Sequence, residues 1–250
     1  MRWSLKLGKI AGTELYLHWT FLILLGVVFF NGLDKGTGIP AAAQQVLFVV
    51  ALFTCIVLHE FGHAFAARRY GIETRDITLL PIGGVARLER MPREPRHELW
   101  VALAGPLVNV VIAAALYVIL VVASIGRFAP ILSISGFLTT LLWLNVFLVA
   151  FNLLPAFPMD GGRVLRAMLA RRLEYVRATR IAARIGQGMA VLFIIAGFVA
   201  LQRGNPMLML IGVFIFIGAR NEAHIVEIGR NIEPAAPERP FSRTDSPARG

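Results

Sequence analysis

Residues 46–63 read VLFVVALFTCIVLHEFGH: an almost wholly apolar run from Val46 to Leu58, closed by His59-Glu60-Phe61-Gly62-His63. The apolar stretch, with outer limits near Ala42 and Ala67, has the length and composition of a membrane-spanning helix. HExxH puts two imidazoles at i and i+4, one turn apart on one helix face, where both can reach one zinc ion. The glutamate between them, Glu60, can act as general base toward a water held there. Ionisable groups are costly inside a bilayer and mark function by default. A helix-end histidine pair facing water near the membrane surface is the plainer alternative.

Working outward, composition supports the membrane reading. Hydrophobic residues make up 57% of the 250-residue chain and charged residues 16%, against roughly 45–50% and 25% in soluble domains. The formal net charge is +10, but the basic residues lie in short segments between long apolar runs, which argues for membrane topology and against nucleic acid. The single cysteine, Cys55, excludes an intrachain disulfide framework and an all-cysteine zinc site. One turn before His59, it reads best as a small buried hydrophobe. No cleavable signal peptide is expected at Leu15–Phe30, which carries His18 and Trp19.

Six spans are predicted, at about 15–30, 42–67, 99–124, 134–154, 181–201 and 207–219; the first and last are short for a ~30 Å core. The Lys/Arg distribution orients them. Twenty-two of 25 fall in the N-terminus, the second and fourth loops and the tail; Lys35, Arg127 and Arg203 stand alone in the other three loops. Both termini are therefore expected in the cytoplasm. The second span then descends toward Arg68-Arg69, which puts His63 about 8 Å and His59 about 14 Å short of that end. The metal should lie below the cytoplasmic surface but short of the bilayer centre.

Between spans, residues 72–88 (IETRDITLLPIGGVARL) alternate loosely and are punctuated by Pro81 and Gly83-Gly84. They predict a β-hairpin or small sheet at the membrane edge, with an irregular loop as the alternative. Residues 163–180 predict a basic amphipathic helix on the cytoplasmic surface. Residues 1–225 form the expected membrane domain, and the Pro/Arg/Ser-rich stretch 226–250 an expected disordered cytoplasmic tail.

A catalytic zinc wants three protein ligands and an open position. Of four aspartates, Asp34 falls on the outer side, Asp245 in the tail and Asp76 in the soluble loop. Asp160 follows the fourth span in NLLPAFPMDGGR, where Pro155 and Pro158 end the helix and Gly161-Gly162 permit a sharp turn. It can reach the depth of His63 as third ligand; a cap for the following helix is the alternative. Glu222 and His224 are weaker rivals, and His18 and His97 read as interfacial. Asn109 and Asn152 lie within apolar spans and must find partners there. They are candidates for substrate hydrogen bonding or oxyanion support, or else hold helices together. Gly83 and Gly84 are candidates for contact with an extended substrate.

HEFGH at 59–63, AGPLVN at 104–109 and NLLPAFPMDGGR at 152–163, in this order and spacing, closely resemble the site-2 protease family of intramembrane zinc metalloproteases, over about residues 10–220. The resemblance implies a mostly helical polytopic fold, one Zn2+ per chain on His59, His63 and Asp160, and Glu60 as catalytic base. It also implies that Asn152 lies near the catalytic centre. It implies a transmembrane protein substrate, often an anchored transcription regulator or its inhibitor, and a multi-pass protein of a prokaryotic cell membrane. The layout is similar to that of a compact prokaryotic subgroup. The tail is too short for the CBS domains common there, and no segment suits a PDZ domain, so neither kind of regulation is expected. The competing expectation is a catalytically inactive relative or a metal-binding membrane transporter. A transporter should spread polar groups on both sides of the midplane, whereas here they cluster toward the cytoplasmic end. A serine protease of the rhomboid type would need a span-borne GxSG, which the chain lacks.

Overall fold

In the computed structural model, residues 4–10, 12–34, 38–81, 83–89, 92, 94–127, 134–201 and 206–232 are described. Strands β1 (Ser4–Ile10), β2 (Thr13–His18), β3 (Thr74–Leu80) and β4 (Gly83–Leu88) accompany helices α1 (Trp19–Asp34), α2 (Gly38–Arg69), α3 (Pro95–Gly126), α4 (Ser135–Asn152), α5 (Asp160–Ala170), α6 (Tyr175–Leu201) and α7 (Met207–Ile232).

Among the described residues, five helices are long and apolar enough to cross a membrane: α2, α3, α4, α6 and α7. The first predicted span becomes α1, an apolar helix of 16 residues, about 24 Å long. Its predicted start is corrected: Leu15–His18 belong to β2. Tyr16 and His18 alternate there with Leu15 and Leu17, a period of two that the neighbouring apolar run had masked.

The expected hairpin is present as β3 and β4, antiparallel, with Gly83 at φ 138° in the turn. It is half of a larger sheet. β1 and β2 form a second hairpin turning at Gly12, and β2 pairs in parallel with β3, Leu15 opposite Ile77 and Leu17 opposite Leu79. The order is β1-β2-β3-β4, with the α1–α2 hairpin as the crossover between the parallel strands. The sheet is anchored on the helices by Leu79 and Leu17, which pack with Phe21 of α1 and Phe53 of α2. The two phenyl rings meet edge to face at 4.6 Å, the arrangement their quadrupoles favour.

The expected amphipathic helix at 163–180 is corrected as well. It breaks after Ala170, and its Arg166 and Ala167 are fully buried. α5 packs against α3 and α6, and carries Asp160 in its first turn. α7 runs on to Ile232, past the boundary expected for the tail; residues 233–250 lie outside the described residues.

Candidate metal centre

The geometry grows from α2. His59 and His63 are one turn apart and both buried, with their imidazole Nε2 atoms 3.1 Å from each other. Asp160 comes 101 residues after His59, yet its Oδ2 lies 3.2 Å from His59 Nε2 and 3.1 Å from His63 Nε2. Local sequence makes this approach possible. α4 ends at Asn152, and α5 starts at Asp160 after a short turn. A Cβ at Gly162 would sit 2.6 Å from the Phe157 nitrogen, and one at Gly161 would run into the Leu153 and Leu154 carbonyls. Only glycines let the new helix start so close to the end of the old one.

Hydrogen bonding places a hydrogen on Nδ1 of both rings. His63 Nδ1 lies 2.7 Å from the Val101 carbonyl oxygen. A carbonyl can only accept, so Nδ1 carries a hydrogen, and in the neutral ring Nε2 then presents a lone pair. For His59 the logic runs through two asparagines. Asn145 Nδ2 donates to the Leu141 carbonyl at 2.8 Å. Its Oδ1 therefore faces the other way and accepts from Asn109 Nδ2, again at 2.8 Å. That leaves Asn109 Oδ1 to accept from His59 Nδ1 at 2.6 Å, so in the neutral ring His59 Nε2 is likewise a lone pair. The Leu141 carbonyl thus sets the polarity of the whole chain. Asn109 and Asn145 are both fully buried, and such outer partners orient ligands and set their tautomers.

With both rings neutral, two imidazole lone pairs and a carboxylate put three buried acceptors on one point. Acceptors this close repel unless a cation sits among them. A tetrahedral zinc with bonds of 2.0–2.2 Å separates its ligands by about 3.3–3.6 Å. The observed 3.1–3.2 Å triangle meets that within a few tenths of an ångström. Among the described residues, these three form the group able to hold a metal. The rivals are engaged elsewhere: Glu222 with Arg166, Asp76 with Thr78 and Arg87, His97 stacked on Tyr70, His18 with Thr20. Cys55 is buried beside Asn145, its Sγ 3.5 Å from the amide nitrogen.

Space for the ion comes from α3. A Cβ on Gly105 would lie 2.7 Å from His59 Nε2 and closer still to His63 Nε2. The next residue, Pro106, has no N–H for the Ala102 carbonyl, which loosens this turn.

A cavity of about 450 Å3 opens on the centre. It is lined by His59, Glu60, His63, Asp160, Gly83, Gly84, Val85, Asn152 and Arg163, among others. β4 lies directly against Glu60: a Cβ on Gly84 would sit 2.9 Å from Glu60 Cγ. Of the residues singled out in the sequence, the structure thus brings together His59, Glu60, His63, Asp160, Asn152, Gly83 and Gly84 around one cavity. Asn109 stands behind His59, with both ends of its amide engaged. Asn145 escaped sequence reasoning. Its signal was available: a third asparagine in an otherwise apolar run, LLWLNVFLVAF.

A profile described as peptidase family M50 matches residues 47–133 and 126–193. The chain is 40% identical over 230 residues to a zinc metalloprotease of Methanocaldococcus jannaschii, covering 91% of this chain and 63% of that protein. It is 34% identical over 235 residues to Rip3 of Mycobacterium tuberculosis, covering 89% of this chain and 59% of that protein. The chain thus spans about three-fifths of the length of these relatives. Among solved structures it is similar to the site-2 protease from Methanocaldococcus jannaschii, with a TM-score of 0.60 and 36% identity over 88% of this chain and 95% of that one. The family profile covers more than half of this multi-pass membrane chain, including its histidine pair and its aspartate, and the chain belongs to peptidase family M50.

Proposed function

We propose that this chain is an intramembrane zinc metalloendopeptidase, hydrolysing peptide bonds within or near transmembrane segments of membrane-anchored proteins in regulated intramembrane proteolysis. The observation that carries the reading is the convergence of two imidazole Nε2 atoms and a carboxylate oxygen on one point, beside Glu60 in the same cavity. Zinc bound there supplies a Lewis acid that polarises a carbonyl and makes water acidic enough to ionise near neutral pH. Glu60 takes the proton from the attacking water and returns it to the leaving amine, so that water and an amide become an acid and an amine. Asn152, which also lines the cavity, has an amide N–H to offer the carbonyl oxygen as negative charge develops there.

A peptide bond inside a helix is shielded and its carbonyl already accepts a hydrogen bond, so the substrate must unwind. β4 is the last strand of the sheet, paired on one side with β3, and Gly83, Gly84 and Val85 line the cavity. An extended substrate can pair with that edge, which satisfies backbone groups that would otherwise be stranded near lipid. The Lys/Arg distribution supports a cytoplasmic location of both termini, and the prokaryotic relatives support a prokaryotic cell membrane. An intact Glu60 beside the ligands speaks against an inactive relative, and the clustering of polar groups at one end against a transporter.

The test is Glu60→Gln in the full chain, purified in detergent and given a single-span substrate. Zinc content should stay at one per chain while cleavage disappears. Cleavage comparable with wild type would refute the mechanism.

A further inference from the structure

Arg166 is the largest fully buried side chain among the described residues. It sits six residues after Asp160 on α5, about 9 Å along the axis. Its Nε donates to Glu98 Oε1 of α3 at 2.7 Å, with Nη2 2.5 Å from the same oxygen. Its Nη1 donates to Glu222 Oε1 of α7 at 2.6 Å. The guanidinium carbon lies over two aromatic rings, 5.1 Å from the Phe157 centroid and 4.9 Å from that of Tyr175. Nε and Nη1 donate to carboxylates on two helices, while Nη2, close to Glu98 Oε1, and Glu98 Oε2 have no hydrogen-bond partner among the described residues.

Burying such a network is costly, and an apolar cluster of the same volume would often hold a fold as well. Its use must therefore be sought in geometry. α5 has 11 residues and Met159 gives it no side-chain cap. A helix so short is marginal alone and takes its orientation from its neighbours. Arg163 lies 3.8 Å from Asp160 Oδ1, but it is on the same helix and cannot set that helix's rotation. Arg166 can, because its partners lie on two other helices. One of them, Glu98, is a single turn from Val101, whose carbonyl holds His63, and Asn109 on the same helix holds His59.

We infer that Arg166 is the positioning residue for the Asp160 ligand: by forking between Glu98 and Glu222 it fixes the rotation and height of α5 so that the carboxylate meets the two imidazoles. All three ligands are then indexed to one template, α3, at residues 98, 101 and 109. This rests on the reading of His59, His63 and Asp160 as a metal centre.

The test uses the full chain in detergent, with zinc affinity measured by chelator competition, the visible spectrum of the cobalt(II) form, and melting of the metal-free protein. Arg166→Lys keeps the charge but loses the fork. The double variant Glu98→Gln, Arg166→Met removes both buried charges and keeps the volume; Glu222 is partly exposed and can be hydrated. Both variants should bind zinc roughly 10–100-fold more weakly. Cobalt bands should weaken as the carboxylate leaves, and the metal-free double variant should melt within a few degrees of wild type. Zinc affinity within threefold of wild type and an unaltered cobalt spectrum in the double variant would overturn the proposal. So would an affinity loss that merely tracks a lost melting transition. Asp160→Ala separates the two levels: if it binds zinc like wild type, the metal reading itself fails and this proposal falls with it.

Discussion

Gly105→Ala offers the sharpest check on the centre. The added methyl carbon would sit 2.7 Å from His59 Nε2, with His63 Nε2 nearer still. An ordinary contact is 3.4 Å or more, so the shortfall is at least about 0.7 Å, deep in the repulsive wall. The methyl would also fill the space in which both lone pairs converge, the place a zinc must take. Neither ring can swing away cheaply, since one is held by Asn109 Oδ1 at 2.6 Å and the other by the Val101 carbonyl at 2.7 Å. Zinc sites tolerate about 0.2 Å in bond length, several times less than the displacement required. Zinc affinity should fall at least 100-fold, about 2.7 kcal/mol, and cleavage with it. Helix propensity works the other way, since alanine is favoured over glycine by roughly 1 kcal/mol in a helix interior. That offsets only part of the clash, which is present without metal too, so the metal-free protein should fold but melt somewhat below wild type. Chelator competition and calorimetry read the two quantities separately. A variant that binds zinc with wild-type affinity would refute the placement of α3 over the ligands and the reasoning built on it.

Three other outcomes are expected. Asn109→Ala leaves His59 Nδ1 without its acceptor and should weaken zinc binding roughly 10–100-fold; an unchanged affinity would show that the asparagine chain does not set the tautomer. Val85→Pro removes one N–H from β4 without touching a ligand; cleavage should drop sharply at constant zinc content, while helix-breaking residues in the substrate span should raise cleavage by wild type, and if neither happens the strand-pairing model is wrong. Reporter fusions near Lys35, Arg127 and Arg203 should face outward and those near Arg93, Arg172 and Arg239 the cytoplasm; one clear inversion breaks the topology.

What could be read from the chain alone follows from how far each signal reaches along it. His59 and His63 were legible because a single helical turn joins them and a long apolar run surrounds them. Asp160 was legible through its own neighbours, two prolines that end a span and two glycines that allow a tight restart. β1 and β2 were missed: the leucines of TELYLH merge into the apolar helix that follows, and the parallel pairing with β3 spans some sixty residues. Arg166 was read as a solvated cation on a basic helix face. Its burial depends on Glu98 and Glu222, 68 and 56 residues away, and no local pattern announces such a meeting. Asn145 was overlooked for a related reason: its partners Leu141, Cys55 and Asn109 lie on three helices, and its place in the His59 chain appears only when those helices are side by side.

The separation of the ligands in sequence has a consequence for how the protein is made. His59 and His63 leave the ribosome together, but Asp160 follows about a hundred residues later, an interval of roughly 5–20 s at ordinary synthesis rates. Throughout that interval α2 has only its two histidines to offer a metal, and Asn145, the anchor of the His59 tautomer, is likewise still to come. Two imidazoles with no carboxylate make an incomplete zinc site. The nascent chain therefore passes through insertion as an inert helical assembly beside other newly made membrane proteins. The complete set of three ligands arrives late, once α4 and α5 have docked.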